Sequence, residues 1–358
     1  MQKENYNVVG VMSGTSLDGI DIAHIQFDFS GGKWIFEMGE CETIGYNSEW
    51  IDTLRKAVTF NDAELADLNI KYTSFLADVI SAFMRKYKIG TIDAVCSHGH
   101  TILHQPEKGI TLQIGNLPEI APLLQQTVVC DFRVQDVELG GQGAPLVPIG
   151  DRFLFSDYDY CLNLGGFSNV SFEQDDNRMA FDISPVNTVL NFYAGQLGFV
   201  YDDKGIMSAD GSLNEILLSE LNQLDFYKKP FPKSLGFEFV RETILPLMDI
   251  FNIAHEDKLR TFTEHIAMQI AAALPVKEGQ MLVTGGGAYN DFLIGRIKAH
   301  LPDMEVKIPE KKILEFKEAL IFALLGVLKL RNEINVLASV TGAEKDHSSG
   351  KVYQIADA

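Results

Sequence analysis

Cysteine is scarce in this 358-residue chain: there are four, and none of Cys41, Cys96, Cys130 and Cys161 forms a C-x-x-C pair. That spacing argues against a disulfide scaffold and a thiol-rich zinc module. Three of the four lie in apolar, strand-like runs, as buried thiols do in a reducing compartment. Positive charge is also short. Lys plus Arg number 30 against 49 Asp plus Glu, giving a formal charge of -19 that repels phosphate backbones and anionic lipid at long range. Nucleic acid and membrane surfaces are therefore poor partners, and an anionic substrate would need local backbone amides and a few placed cations. The longest apolar run, residues 319–328, is too short to span a bilayer. No secretory signal pattern precedes the first strand, so the expected location is the cytoplasm.

What is present suits a large soluble fold. Hydrophobic residues make up 46% and charged residues 22% of a chain longer than one core usually organises, which predicts two domains. Residues 7–12, 20–29 and 34–44 read as strands, with a glycine-bearing turn at 13–19. Helices follow near 50–58 and after Asn61, where Asn61 and Glu64 have capping-box spacing. Further strands are expected at 92–97, 111–114 and 127–132, with a helix near 117–126 between the last two. After a Gly- and Pro-bearing crossover at 139–148, the order of strand, glycine turn, strand, strand recurs at 160–164, 165–166, 168–172 and 179–182. The halves read as structural duplicates: 1–132 plus about 340–358, whose tail packs back on the first domain, and 133–339.

Three glycine turns could carry chemistry. The first, GVMSGTSLDGID at 10–21, lacks the lysine of a Walker A loop. Gly14 and Gly19 admit close approach of backbone N–H groups to phosphate, Thr15 and Ser16 add hydroxyls, and Asp18 or Asp21 could hold hydrated Mg²⁺. A plain hairpin turn is the alternative. The second, LNLGGFSN at 162–169, puts Gly165, Gly166 and Asn169 at the equivalent place in the second half, where the two turns could clamp a polyphosphate across a central cleft. The third is TGGGAYN at 284–290. Gly285, Gly286, Gly287 and Asn290 suit adenine or ribose contact better than a Rossmann site, whose G-x-G-x-x-G spacing is incomplete here.

These turns resemble those of the sugar kinase, actin and Hsp70 superfamily, and GVMSGTSLDGID is similar to the signature of the anhydro-N-acetylmuramic acid kinases. Ser97-His98-Gly99 with Thr101 and His104, LQIGN at 112–116, Asp131-Phe132-Arg133 with Asp136, GGQGAPLVP at 140–148 and Phe181-Asp182 with Pro185 and Asn187 continue the resemblance. So do Asp202, Gly205, Gly211 and Glu318-Ala319. The resemblance implies two ribonuclease H-like α/β lobes and a homodimer using ATP and Mg²⁺. The implied reaction adds water and a phosphoryl group to 1,6-anhydro-N-acetylmuramic acid, giving N-acetylmuramate 6-phosphate in peptidoglycan recycling. Two stretches depart from the family pattern. Ile183-Ser184-Pro185-Val186 stands where Thr-Gly-Pro-Gly is usual, and Lys233-Ser234-Leu235-Gly236-Phe237-Glu238 replaces Lys-Ser-Thr-Gly-Arg-Glu.

On that resemblance Asp182 is the general base for water and Asp18 the metal-side carboxylate. Thr101, Arg133 and Glu318 contact the sugar. A loop-capping role for Asp182, a turn role for Asp18, a solvated helix acid for Glu318 and a salt bridge from Arg133 to Asp131 or Asp136 are the structural alternatives. Other functions remain open: a kinase with shifted sugar preference, a zinc hydrolase built on His98, His100 and His104, or a non-catalytic ATP-gated scaffold.

Overall fold

The computed structural model describes residues 3–355. Residues up to Leu154, together with those from Phe316 onward, form one compact unit, and Phe155–Glu315 form the other. The first unit is built on a seven-stranded mixed sheet. Its strands β1 (Asn5–Ser13), β2 (Ile20–Ser30), β3 (Lys33–Ile44), β4 (Ala94–Gln105), β5 (Ile110–Ile114) and β6 (Val128–Cys130) are joined by Lys351–Tyr353. β1 is central and almost wholly buried, as its apolar run predicts, whereas edge strand β3 alternates. β2 and β3 run antiparallel beside it, and β4 then β6 run parallel on its other side.

The helix Asp62–Lys86 begins in a complete capping box: Asn61 accepts from Ala63 and Glu64 amides, and Glu64 accepts from the Asn61 amide at 2.8 Å. Its apolar stripe, Leu65, Leu68, Tyr72, Leu76, Ile80 and Phe83, recurs every three or four residues and is buried in the core shared with β1 and β4. On the helix Lys311–Leu330, Ala319 lies against Gly10 of β1. A Cβ at Gly10 would sit 2.1 Å from the Ala319 carbonyl oxygen.

The tail strand Lys351–Tyr353 pairs antiparallel with β6, so the tail does pack on the first unit. The observed division differs from the expected boundary near residue 132. Residues 133–154 stay with the first unit because Asp136 binds Thr341 and the Gly143 amide, and buried Asp151 pairs with Lys317 at 2.7 Å. The helix Lys311–Leu330 carries its non-helical residue, Phe316, at the division itself.

The second unit repeats the plan. Strands β7 (Tyr160–Leu164), β8 (Phe167–Gln174), β9 (Asn177–Pro185), β10 (Glu278–Thr284) and β11 (Asp303–Lys307) take the order β11-β10-β7-β8-β9. β7, β8 and β9 pair antiparallel, and β10 then β11 run parallel on the other side of β7, so the order matches β6-β4-β1-β2-β3 strand for strand. The expected duplicated α/β architecture is therefore present in the pairing itself. Helix His255–Ala273 fills the core of this unit with Leu259, Phe262, Ile266 and Ile270. Burial would raise the carboxyl of its Glu264, but hydrogen bonds from Arg296, Arg260 and His300 outweigh it and hold the carboxyl down at about 2. Among the described residues no helix is long and apolar enough to cross a membrane.

Candidate functional site

In the first unit, β1 ends at buried Ser13, whose hydroxyl meets Tyr46 OH at 2.6 Å and His100 Nδ1 at 2.8 Å. Tyr46 passes the chain on to Tyr72 OH at 2.5 Å. The turn beyond is thus anchored from below, while Thr15, Ser16 and Asp18 are exposed. Among the described residues, the amides of Gly14, Thr15 and Ser16 have no backbone acceptor; the turn closes only through Leu17 N to Gly14 O at 3.4 Å. Open amides with adjacent hydroxyls suit an anion. Glycine is required at Gly19, where a Cβ would lie 2.7 Å from the Ile44 carbonyl oxygen. Ser16 donates to Asp18 at 2.7 Å, and Thr43 donates to Asp21 at 2.5 Å.

The same unit holds Arg133 and Glu318. Arg133 Nε donates to His98 Nε2 at 2.8 Å, and its Nη1 donates to the Gly143 carbonyl at 2.5 Å. This leaves His98 neutral, its Nδ1–H directed to the Gly99 carbonyl at 3.0 Å. Burial and the Arg133 charge hold the His98 pKa well below its usual range. The expected alternative pairings of Arg133 are not those found. Asp131 binds Lys351, and fully buried Asp136 binds Thr341 and the Gly143 amide. Glu318 keeps an exposed surface, but its protein surroundings, together with Asp21 and Asp18, raise its carboxyl; Arg133 opposes the rise. Thr101, half-buried, accepts from Gln113 at 3.4 Å.

The zinc alternative fails on this geometry. His98 Nε2 is occupied by Arg133, His100 turns to Ser13, and His104 Nδ1 meets Thr111 at 3.2 Å. Among the described residues no group of three His, Cys, Asp or Glu side chains is placed to hold a metal.

In the second unit one polar row crosses four strands. Thr284 on β10 pairs with Asn163 on β7, Asn163 with Asn169 on β8, and Asn169 with Asp182 on β9. Directly opposed residues share a face, so the four side chains line one side of the sheet. The Gly165-Gly166 and Gly285–Gly287 turns abut just beyond this row: a Cβ on Gly287 would meet Leu164 Cβ at 2.7 Å, and one on Gly285 would meet Asn163 Oδ1 at 2.5 Å. The carbonyls of the second turn are taken by the start of the following helix. Asn187 Nδ2 donates to Gly165 O at 2.8 Å, and Val186 N donates to Gly166 O at 2.8 Å. With its carbonyls tied back, exposed Gly166 keeps its N–H without an acceptor among the described residues.

Asp182 is half-buried, and burial raises its carboxyl. Its amide donates to Lys233 O at 2.9 Å, and its Oδ2 accepts from Leu235 N at 2.8 Å. Asn290, expected at the nucleotide, has a buried side chain that caps the helix Asp291–His300 through Leu293 N at 2.9 Å. Asp202 likewise caps Ile206–Asp210 through Met207 N and Ser208 N. Sequence reasoning missed Asn163, whose signal was available: a polar residue interrupting the buried run Tyr160–Leu164.

The family model of anhydro-N-acetylmuramic acid kinase matches residues 6–355. The chain belongs to that family. It is 35% identical over 366 residues to the anhydro-N-acetylmuramic acid kinase of Pseudomonas syringae pv. syringae, covering 96% of this chain and 98% of that one. The Haemophilus influenzae enzyme of the same name is 32% identical over 372 residues, with 96% and 97% covered. Among solved structures, it is similar to the activator of 2-hydroxyisocaproyl-CoA dehydratase from Clostridium difficile, at 12% identity, a TM-score of 0.44 and coverage of 89% and 94%. It is also similar to a ROK family glucokinase from Streptomyces griseus, at 13% identity, a TM-score of 0.41 and coverage of 90% and 99%. Membership makes the protein a kinase, a phosphotransferase with an alcohol acceptor.

Proposed function

We propose that the chain converts 1,6-anhydro-N-acetylmuramic acid, ATP and water to N-acetylmuramate 6-phosphate and ADP, in recycling of cell-wall fragments. The observation that carries the reading is Asp182: a half-buried carboxylate of raised proton affinity, in a polar row beside two glycine turns, in a chain that matches the family along 6–355. Water loses its proton to Asp182 as its oxygen bonds to the anomeric carbon. The bond from that carbon to O6 breaks with its electron pair left on O6, O6 bonds to the γ-phosphorus, and ADP departs.

The open amides of the 14–16 turn and of Gly166 are assigned to phosphate oxygens, and Gly285, Gly286 and Gly287 to the nucleoside. Arg133 and Thr101 are assigned to polar groups of the sugar and Glu318 to its hydroxyls. Exposed Asp18, with Asp21 behind it, fits a hydrated divalent ion that takes most of its ligands from water and phosphate. Mg²⁺ there would offset phosphate charge during transfer. Asn290 is assigned a supporting role as the cap behind the third turn. The family resemblance also supports a cytoplasmic homodimer; sedimentation velocity returning the mass of one chain would remove the dimer.

The test is incubation with ATP, Mg²⁺ and the anhydro sugar, with mass spectrometry of the product. The expected product carries one phosphoryl group and one added water, and ADP release depends on the sugar. Asp182→Asn should keep ATP affinity and lose turnover by a factor on the order of 10² to 10⁴. Sugar-independent ADP release, or an anhydro sugar phosphorylated without added water, would overturn the assignment.

A further inference from the structure

The segment that departs from the family pattern, Leu235-Gly236-Phe237, is the one that touches Asp182. Its contact is made by backbone: Leu235 N–H donates to Oδ2 at 2.8 Å, and Lys233 O accepts from the Asp182 amide at 2.9 Å. A side chain can change at 235 without disturbing either bond. The strap is seated by rings, Phe231 stacking on Phe181 at 4.8 Å and 8°. Lys233 Nζ is directed to the Phe226 carbonyl at 3.3 Å and lies 4.7 Å from the ring centre.

The second departure joins the same assembly. Ser184, in place of the usual glycine, meets Tyr227 OH at 3.3 Å, while Ile183 and Val186 are buried in the core. Both departures thus flank Asp182, whose two bonds to the 233–235 strap are made by backbone.

We propose that the Leu235 amide is the positioning group of the general base: it occupies Oδ2 and leaves Oδ1 as the atom that receives the proton of the attacking water. This rests on the assignment of Asp182 as base. The proton passes from water to Oδ1, the water oxygen bonds to the anomeric carbon, and the released electron pair goes to O6. Among the described residues Oδ1 has no bond to the chain.

Charged groups on the packed elements are engaged elsewhere. Lys233 points to Phe226, Asp225 pairs with Lys228, and Arg178 is bound by Ser171 and Glu173. Glu238 lies over Gly236, and His265, buried behind Tyr227, is neutral. Burial and the Leu235 amide are the two influences on the Asp182 carboxyl, the first raising its pKa and the second lowering it.

The experiment is the pH profile of kcat/KM for the anhydro sugar in the full chain. Leu235→Pro removes the N–H, and replacing Leu235 by its α-hydroxy acid removes it with the side chain intact. Both should move the acidic limb to higher pH by about one unit, since the lost bond favoured the carboxylate; Leu235→Ala should leave it in place. The α-hydroxy acid variant guards against misfolding of the proline variant. An unmoved limb in the α-hydroxy acid variant, or an equal shift in Leu235→Ala, would overturn the proposal. Failure of the underlying reading looks different: Asp182→Asn would retain turnover, or the unaltered protein would show none.

Discussion

Arg133 Nε and His98 Nε2 lie 2.8 Å apart, with the guanidinium donating to an imidazole that cannot take up a proton while the bond exists. His98 also packs its ring on Phe322 at 4.7 Å, so the arginine is braced against a rigid partner. On the proposed assignment of Arg133 to the sugar, this brace sets the direction of its remaining guanidinium N–H groups.

Loss of that brace should appear in sugar binding. His98→Phe is expected to raise KM for the sugar about tenfold, the scale of one charge-assisted hydrogen bond, with KM for ATP little changed. Steady-state kinetics with each substrate varied in turn decides it; equal effects on both would mean general loosening of the fold.

A second expectation concerns the Gly165-Gly166 turn of the second unit, proposed above to bind phosphate. Asn187→Ala removes the side-chain donor to Gly165 O and should raise KM for ATP about tenfold. Thr188 Oγ1, which binds Gly166 O at 2.9 Å, keeps part of the turn in place, so the variant should fold. Calorimetric titration with a non-hydrolysable ATP analogue measures the loss; unchanged affinity would remove the turn from nucleotide binding.

Acid sensitivity follows from three buried neutral histidines. Burial lowers His98, takes His100 to about 4 and takes His265 to about 3. An unfolded histidine binds its proton near 6.5, so below that pH the unfolded chain holds more protons. Stability contributed by burying these rings is complete above about 6.5 and is lost as pH falls toward the folded values, at about 1.4 kcal/mol per pH unit for each. Glu264, held down at about 2, is ionised in both states until pH falls to its unfolded value near 4.5, so it adds to the loss only below that pH and little between pH 7 and pH 5. Urea midpoints at pH 7 and pH 5 should differ clearly; equal midpoints would refute this account.

Much of the fold was legible because its signals are local. The Asn61 and Glu64 pair gave the start of a helix that forms with both capping bonds, and the apolar run in Tyr160–Leu164 gave β7 to the residue. β4 was read too short: its outer part, His100 to Gln105, mixes polar residues with Ile102 and Leu103, and it is a strand because β5 pairs with it, a long-range fact. The expected helix near 117–126 shrinks to Ile120–Leu124, since Pro122 and the left-handed Gln125 limit it.

At the site, the glycine turns, Arg133 and Asp182 could be named from their motifs. The polar row could not, because register between strands distant in sequence decides which side chains share a face. Nor could the Leu235 amide, since a backbone donor leaves no mark in residue identity. Asn290 shows the reverse: its motif position suggested a ligand contact, whereas a helix start claims its oxygen.

The pairing of Lys351–Tyr353 with β6 has a bearing on synthesis. Every residue of Phe155–Glu315 leaves the ribosome before Phe316 does, so the inserted unit can complete its sheet while the outer one still waits for its final strand and the helix that covers β1. Nascent chains from which Glu315 has just emerged would carry a finished inserted unit and an outer unit whose hydrophobic face is still unsealed, the stage at which a chaperone has most to shield.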